Sequence, residues 1–328
     1  MLAFVIRRVF IGLFVLLVAS VFVFVLVAES GNPLATLQAD PGVTQATIRQ
    51  AAAQLHLNQP LVQRYWYWFS HLLRGDFGTS YSGQPIGSEL GQSLVATLKM
   101  VIPATIISTI LAVITGVLSA VRQYSVWDNI STGLAYLFYS TPVFVLAILL
   151  KDFVAIPINN AVGNTVFYTI GESSIGNTGG LLSSIGNQFS HAVLPVLTLV
   201  LITYAAWSRY QRAAMLEVLN SDYLRLARSK GLKPSRVLIR HALRNALIPL
   251  TTIVALDFAV IVGGAVVTET VYGWQGMGRL LLNGLTGPVS PDVNVVLAWL
   301  MVVAAVVVAF NVLADVLYAV LDPRIRYA

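Results

Sequence analysis

Residues 212–249 read RAAMLEVLNSDYLRLARSKGLKPSRVLIRHALRNALIP and lie between two long apolar runs. The stretch holds too much Arg and Lys to cross a hydrocarbon layer, and it is too regularly patterned to be a linker. Ser221-Asp222 is a helix-capping signal, residues 223–230 have the spacing of one short amphipathic helix, and Gly231 follows where a left-handed residue would close it. Pro234 then opens a second helix over residues 235–245, with Val237, Leu238, Ala242 and Leu243 set among Arg236, Arg240, His241 and Arg244. The expectation is a helix–turn–helix held at a membrane surface. Three roles compete for it: retention of positive charge on one side, nucleic-acid reading, and docking into a partner protein. Both ends run into apolar spans, so no recognition helix is free to enter a groove. Charge retention asks for neither a capped short helix nor a glycine hinge, whereas docking accounts for both.

Outward from this segment the chain is apolar. Of its 328 residues 57% are hydrophobic and 10% charged, against about 25% charged in soluble domains; most soluble folds, disorder and collagen-like fibres are excluded. Crossing a hydrocarbon core takes about 20 apolar residues, and six runs qualify or nearly so: 9–28, 100–121, 129–150, 192–208, 246–268 interrupted by Asp257, and 293–314. With both termini cytoplasmic, that side holds fourteen of the twenty Lys and Arg: Arg7, Arg8, Arg122, nine within 209–244, Arg324 and Arg326. Arg49, Arg64, Arg74, Lys99, Lys151 and Arg279 remain outside, in keeping with retention of positive charge inside. The first run follows Arg7-Arg8 as in a signal peptide, but its length and the lack of a small-residue cleavage site make it a retained anchor. The reading is an all-α integral membrane protein of six transmembrane helices. Residues 1–28 form the N-terminal span and 29–93 an extracytoplasmic segment; 94–318 form a five-helix transmembrane domain with a cytoplasmic loop at 209–245, and 319–328 a cytoplasmic tail.

The extracytoplasmic segment carries turn markers at Gly31-Asn32-Pro33 and Pro41-Gly42 and two expected helices. One covers 44–55, with Thr44 as N-cap and Ile48, Ala51, Ala52 and Leu55 at helical spacing. The other covers 61–73 and is dense in aromatics, Tyr65 to Phe69, suiting either an interfacial belt or a docking surface. Residues 152–190 read as an irregular loop, and 269–292 contain Tyr272-Gly273-Trp274-Gln275-Gly276-Met277-Gly278, where glycines allow tight turns. No cysteine is present, and His56, His71, His191 and His241 lack metal-ligand spacing. Neither a GxxxxGK[ST] phosphate loop nor a Gly-x-Ser-x-Gly elbow occurs. The chain therefore reads as no enzyme, with no cofactor or metal of its own.

Nearly end to end, the sequence resembles the first-type permease subunit of oligopeptide and dipeptide ABC importers, within the binding-protein-dependent inner-membrane component superfamily. The resemblance rests on Arg7-Arg8, the stretch 75–81 (GDFGTSY), the turn at Thr141-Pro142-Val143-Phe144, Glu217-Val218-Leu219 with Asp222-Tyr223, and 227–232 (ARSKGL). It continues through 240–249 (RHALRNALIP), 263–271 (GGAVVTETV) and the ending 321–326 (LDPRIR). It implies a type I ABC importer transmembrane fold whose loop couples to a nucleotide-binding subunit, with Tyr223, Arg225, Ala227, Lys230 and Gly231 as coupling residues. Of the superfamily's Glu-Ala-Ala, three residues, Gly pattern, only Ala227 and Gly231 match. It further implies a second homologous permease, two ATPase subunits carrying ATP and Mg, an extracytoplasmic substrate-binding protein, peptide cargo and a bacterial inner-membrane location, with no nucleic acid. Nickel, glutathione or another small solute is an alternative cargo, and a self-sufficient secondary transporter an alternative class. Among polar residues of the spans, Asp257 either faces the cavity or pairs with the partner permease. Asn311 and Asp315, one turn apart, suit interhelical hydrogen bonds, and Glu269 either caps a loop or meets substrate.

Overall fold

Nothing in the first apolar run breaks a helix, and it folds as one, α1 (Leu2–Glu29). In the computed structural model the chain is described from Leu2 to Leu321, apart from residues 30, 31, 33, 40, 55, 81, 82, 175–179 and 287–290. The expectations placed on Gly31, Pro33, Leu55, Tyr81 and the tail beyond Leu321, Arg324 and Arg326 included, lie outside the described residues. Three short helices follow the first: α2 (Ala35–Ala39), α3 (Gln45–Gln54) and α4 (Leu61–Leu72). Thr44 caps α3, its hydroxyl accepting from the Thr47 N–H at 3.3 Å. The aromatic helix α4 divides its rings. Tyr65 and Trp68 pack on buried Phe24 of α1, and the Tyr65 hydroxyl meets Ser20 Oγ at 2.9 Å. Trp66 and Tyr67 face away, exposed.

The remaining chain forms α5 (Ile86–Val121), α6 (Val126–Ser140), α7 (Val143–Leu150), α8 (Ile156–Val162) and α9 (Leu181–Leu219). Then come α10 (Asp222–Ser229), α11 (Pro234–Arg236), α12 (Arg244–Gly264), α13 (Val266–Tyr272), α14 (Met277–Thr286) and α15 (Val293–Leu321). Six helical stretches among the described residues are long and apolar enough to span a membrane: Phe4–Glu29, Ile86–Val121, Val143–Val162, Ser183–Leu219, Pro234–Gly263 and Val293–Val316.

The second and fourth spans extend beyond their apolar runs, to Ile86–Val121 and Ser183–Leu219, so that α5 begins within the expected extracytoplasmic segment 29–93; three further elements differ from the sequence reading. The expected third span, 129–150, is divided: α6 ends at Ser140, and the stretch apolar enough to cross is Val143–Val162, after the break at Thr141-Pro142. Pro142 has no N–H and pushes Thr141 to ψ 124°, while the Thr141 and Ser140 hydroxyls donate to the carbonyl of Leu137. The expected loop 152–190 is helical at both ends, through a π turn (Lys151–Ala155), α8 and the first turns of α9, so the irregular part is only 163–180. The expected surface helix 235–245 is no separate element. With no breaker between Pro234 and the apolar run, α11, a π turn (Val237–Leu243) and α12 form one continuous helix.

Helices α5 and α9 pack along each other, with α12 against both, and Met100, Val101, Leu199, Val200, Phe258 and Val262 make the main core. Helix α15 packs on α12, and α1 covers α15. Arg8 near the start of α1 pairs with Asp315 near the end of α15 at 3.1 Å, so these two helices run antiparallel with both ends on one face. That face also carries the basic segment around α10. A second polar lock lies near it: Asp128 of α6 accepts from Arg212 of α9 at 2.7 and 2.8 Å, a bidentate pair.

Candidate functional site

The basic face ends in α10. Ser221 adopts the extended backbone of an N-cap, φ −73° and ψ 149°, but its hydroxyl donates backward to the Val218 carbonyl instead of accepting from α10. The capping signal thus marks the correct place, and the orphan carbonyls at the end of α9 take the hydroxyl first. One side of α10 is anchored: Leu224 is fully buried against Ala120, Met215, Val237, Ala242 and Ala246. Tyr223 is tied to the start of α12, its hydroxyl accepting from Asn245 Nδ2 at 2.7 Å. Gly231 takes φ +75° after Lys230, the left-handed turn expected of it, and open space surrounds the place a Cβ would occupy.

The opposite side of α10 is uncovered. Tyr223, Leu226 and Lys230 stand at i, i+3 and i+7, on one stripe, with Leu226 57% exposed. Ile239 on the adjoining π turn is also exposed. Leu226 and Ile239 escaped the sequence reading; the signal for Leu226 was its three-residue spacing from Tyr223 on the face away from Leu224. Among the described residues Arg225 pairs only with exposed Asp222 on its own helix, at 2.9 Å. Ala227 packs half-buried beside the Leu224 cluster. Lys230 is exposed.

On the opposite face the chain turns at α13–Gly273–α14, and there buried polar groups are tied together. Glu269 is fully buried, and its carboxylate accepts from Thr97 Oγ1 at 2.7 Å and the Arg279 N–H at 2.9 Å. Thr97 Oγ1 also accepts from the Met277 N–H at 2.8 Å, Trp274 Nε1 donates to the Ala96 carbonyl, and Trp299 Nε1 donates to that of Met277. Glu269 therefore holds the first turn of α14 to α5 as an acidic cap. α13 is a separate helix beyond the spanning stretch Pro234–Gly263, and burial pushes the Glu269 carboxyl above its ordinary range while Thr97 and backbone N–H groups pull it down.

The other polar residues of the spans do not converge on Glu269. Asp257 is half-buried and accepts from Nε1 of fully buried Trp207 at 2.7 Å. Asp315 pairs with Arg8, and Asn311 lies half-buried one turn before it on α15.

Comparison with known proteins accounts for the whole chain. Residues 1–118 match the family described as the N-terminal part of binding-protein-dependent transport system membrane components, and 112–327 match the inner membrane component family itself. The oligopeptide transport system permease OppB of Mycobacterium tuberculosis is 42% identical over 321 residues, 98% of each chain. The oligopeptide permease AppB of Bacillus subtilis is 35% identical over all of both chains. The dipeptide permease DppB of Escherichia coli is 33% identical over 100% of this chain and 99% of its own. Among solved structures, the inward-facing MetNI methionine ABC transporter superposes with a TM-score of 0.54 at 17% identity, covering 73% of this chain and 99% of that one.

Proposed function

Because the chain belongs to the family of binding-protein-dependent transport system inner membrane components, we propose that it is one of two permease subunits of an ATP-driven importer of di- and oligopeptides. Full-length identity of 33–42% to peptide permeases supports the cargo. The observation that carries the mechanism is α10: anchored by Leu224 on one side, bare on the other, and held between two long helices of the core. The basic face is the cytoplasmic one, since positive charge is retained inside. Two ATPase subunits bind ATP and Mg there, one of them taking the stripe of Tyr223, Leu226 and Lys230 into a cleft. When ATP closes the pair, α10 moves with it. Helix α9, 39 residues long and about 58 Å at 1.5 Å per residue, carries that motion to the opposite face, where a binding protein delivers cargo. Hydrolysis resets the access. Gly231 is the hinge of the coupling element, with Arg225 and Ala227 shaping its surface.

The test is purification of the tagged chain from its native membrane in mild detergent, with identification and ATPase assay of what accompanies it. Stoichiometric P-loop ATPases and a second permease, with hydrolysis stimulated by peptide-loaded binding protein, are expected. A chain that purifies alone, folded and without ATPase activity, would return the secondary-transporter reading. Competition of labelled peptide uptake by Ni²⁺ or glutathione would reassign the cargo. Within the same preparation Asp257→Asn keeps an acceptor for Trp207, so slowed uptake with normal assembly places Asp257 on the pathway, and unchanged uptake makes it structural.

A further inference from the structure

A cavity of about 570 Å³ runs between α5 and α9 beneath the loop face opposite α10, within the size range of small-ligand pockets, about 300–1,000 Å³. Its walls are apolar: Ile107 from one helix, Phe189, Val193 and Val196 from the other. Its charged residues are one cation, Lys99, and one anion, Glu172. Lys99, more than three turns into α5 from its start at Ile86, stands two turns before Ile107 on the same side of the helix and is the first α5 residue along the chain to line the cavity.

Glu172 is placed there by construction. Its carboxylate accepts from the Gln275 N–H at 2.7 Å, one residue after Trp274 and beside the turn that Glu269 clamps. The strand of chain that carries it is pinned on either side: the Gly171 N–H donates to the Tyr272 carbonyl, the Gly171 carbonyl meets His191 Nδ1 at 2.9 Å, and Ser174 bonds both His191 and Asn187. Yet among the described residues neither Lys99 nor Glu172 forms an ion pair, with each other or with any other group. Two opposite charges line one cavity without pairing, above an apolar wall.

We propose that this cavity is a transit subsite for a zwitterionic peptide, Lys99 receiving the terminal carboxylate, Glu172 the terminal ammonium, and the apolar wall the side chains. The inference rests on the peptide-importer reading. Each charge matches the opposite charge of a free peptide, and the undemanding wall accepts side chains of varied shape, because apolar contact discriminates weakly between similar groups.

The test uses the complete transporter with its binding protein in proteoliposomes and dialanine as the probe. The chain has no cysteine, so Val193→Cys places a single thiol on this subunit, and its labelling by a membrane-impermeant maleimide reports access to the cavity. Dialanine with ATP is expected to slow that labelling. Lys99→Gln and Glu172→Gln are each expected to abolish the protection and lower dialanine uptake about tenfold or more, with assembly and stimulation of ATPase by loaded binding protein retained. Uptake within twofold of the parent in both variants, or labelling indifferent to dialanine while import proceeds, would overturn the proposal. Labelling by a lipid-soluble maleimide alone would overturn it too, marking a groove filled by lipid chains. A parent transporter that imports no peptide would overturn the functional reading itself, which is a separate result.

Discussion

The two faces of this protein use the same local device to opposite ends. At α10–Gly231–α11 and at α13–Gly273–α14 a short helix closes on a left-handed glycine, φ +75° and +63°, before the chain enters a second helix. Around Gly231 the space is open; at Gly273 a Cβ would sit 3.0 Å from Ile170 Cγ2, and three residues on, at Gly276, one would collide with Glu269 Oε1. The backbone requirement is the same and the packing is not. One turn stands open at the surface, while the other is a closed network in which two tryptophans, a threonine and a carboxylate hold the loop to the helices below. The proposed passage of motion from one face to the other calls for this asymmetry, because an input that moves has to work against a loop whose geometry is fixed.

Substitutions sharpen that contrast. The largest effect belongs to Gly276→Val, which drives a side chain into Glu269 and Thr97; a loss of about 3 kcal/mol or more is expected, seen as collapse of the melting temperature and yield of the detergent-solubilised transporter. Next come Gly273→Val and Gly231→Val as a pair. Both impose the left-handed penalty of about 1–2 kcal/mol, but only the first adds a clash, so it should melt lower; equal melting temperatures would erase the distinction between a closed and an open turn. Gly231→Val should also raise the ATP consumed per peptide imported, and Gly231→Asn, which tolerates that conformation, should restore the ratio. Leu226→Asp is expected to leave the melting temperature of the isolated chain within about 0.5 kcal/mol equivalent and to strip the ATPase subunits from it on size-exclusion chromatography. The smallest effect is Arg225→Ala, within about 0.5 kcal/mol on stability, because its partner Asp222 is an exposed neighbour on the same helix.

Much of this was legible before any coordinates. Helix-length apolar runs carry their meaning locally, and Gly231 announces its turn because few other residues reach that conformation at low cost. The capping hydroxyl of Ser221 shows the limit: the residue type marks the junction, but which of two neighbouring backbone groups it bonds depends on how α9 ends. The fusion of the expected 235–245 helix into α12 has the same origin, since a surface helix and the first turns of a span look alike where no breaker separates them.

The sequence by itself determined the membrane-spanning all-α class, the number of helices long and apolar enough to cross and the existence of the α10 turn, because each follows from composition or from the conformational range of residues adjacent in the chain. Only the tertiary structure decided that Glu269 joins Thr97 and the Arg279 N–H, that Asp128 pairs with Arg212 and Asp257 with Trp207, and that Lys99 and Glu172 share one cavity. Most of those partners lie tens to nearly two hundred residues apart, and a buried polar group takes whichever partner the packing of helices brings within reach, which no local pattern of residues encodes.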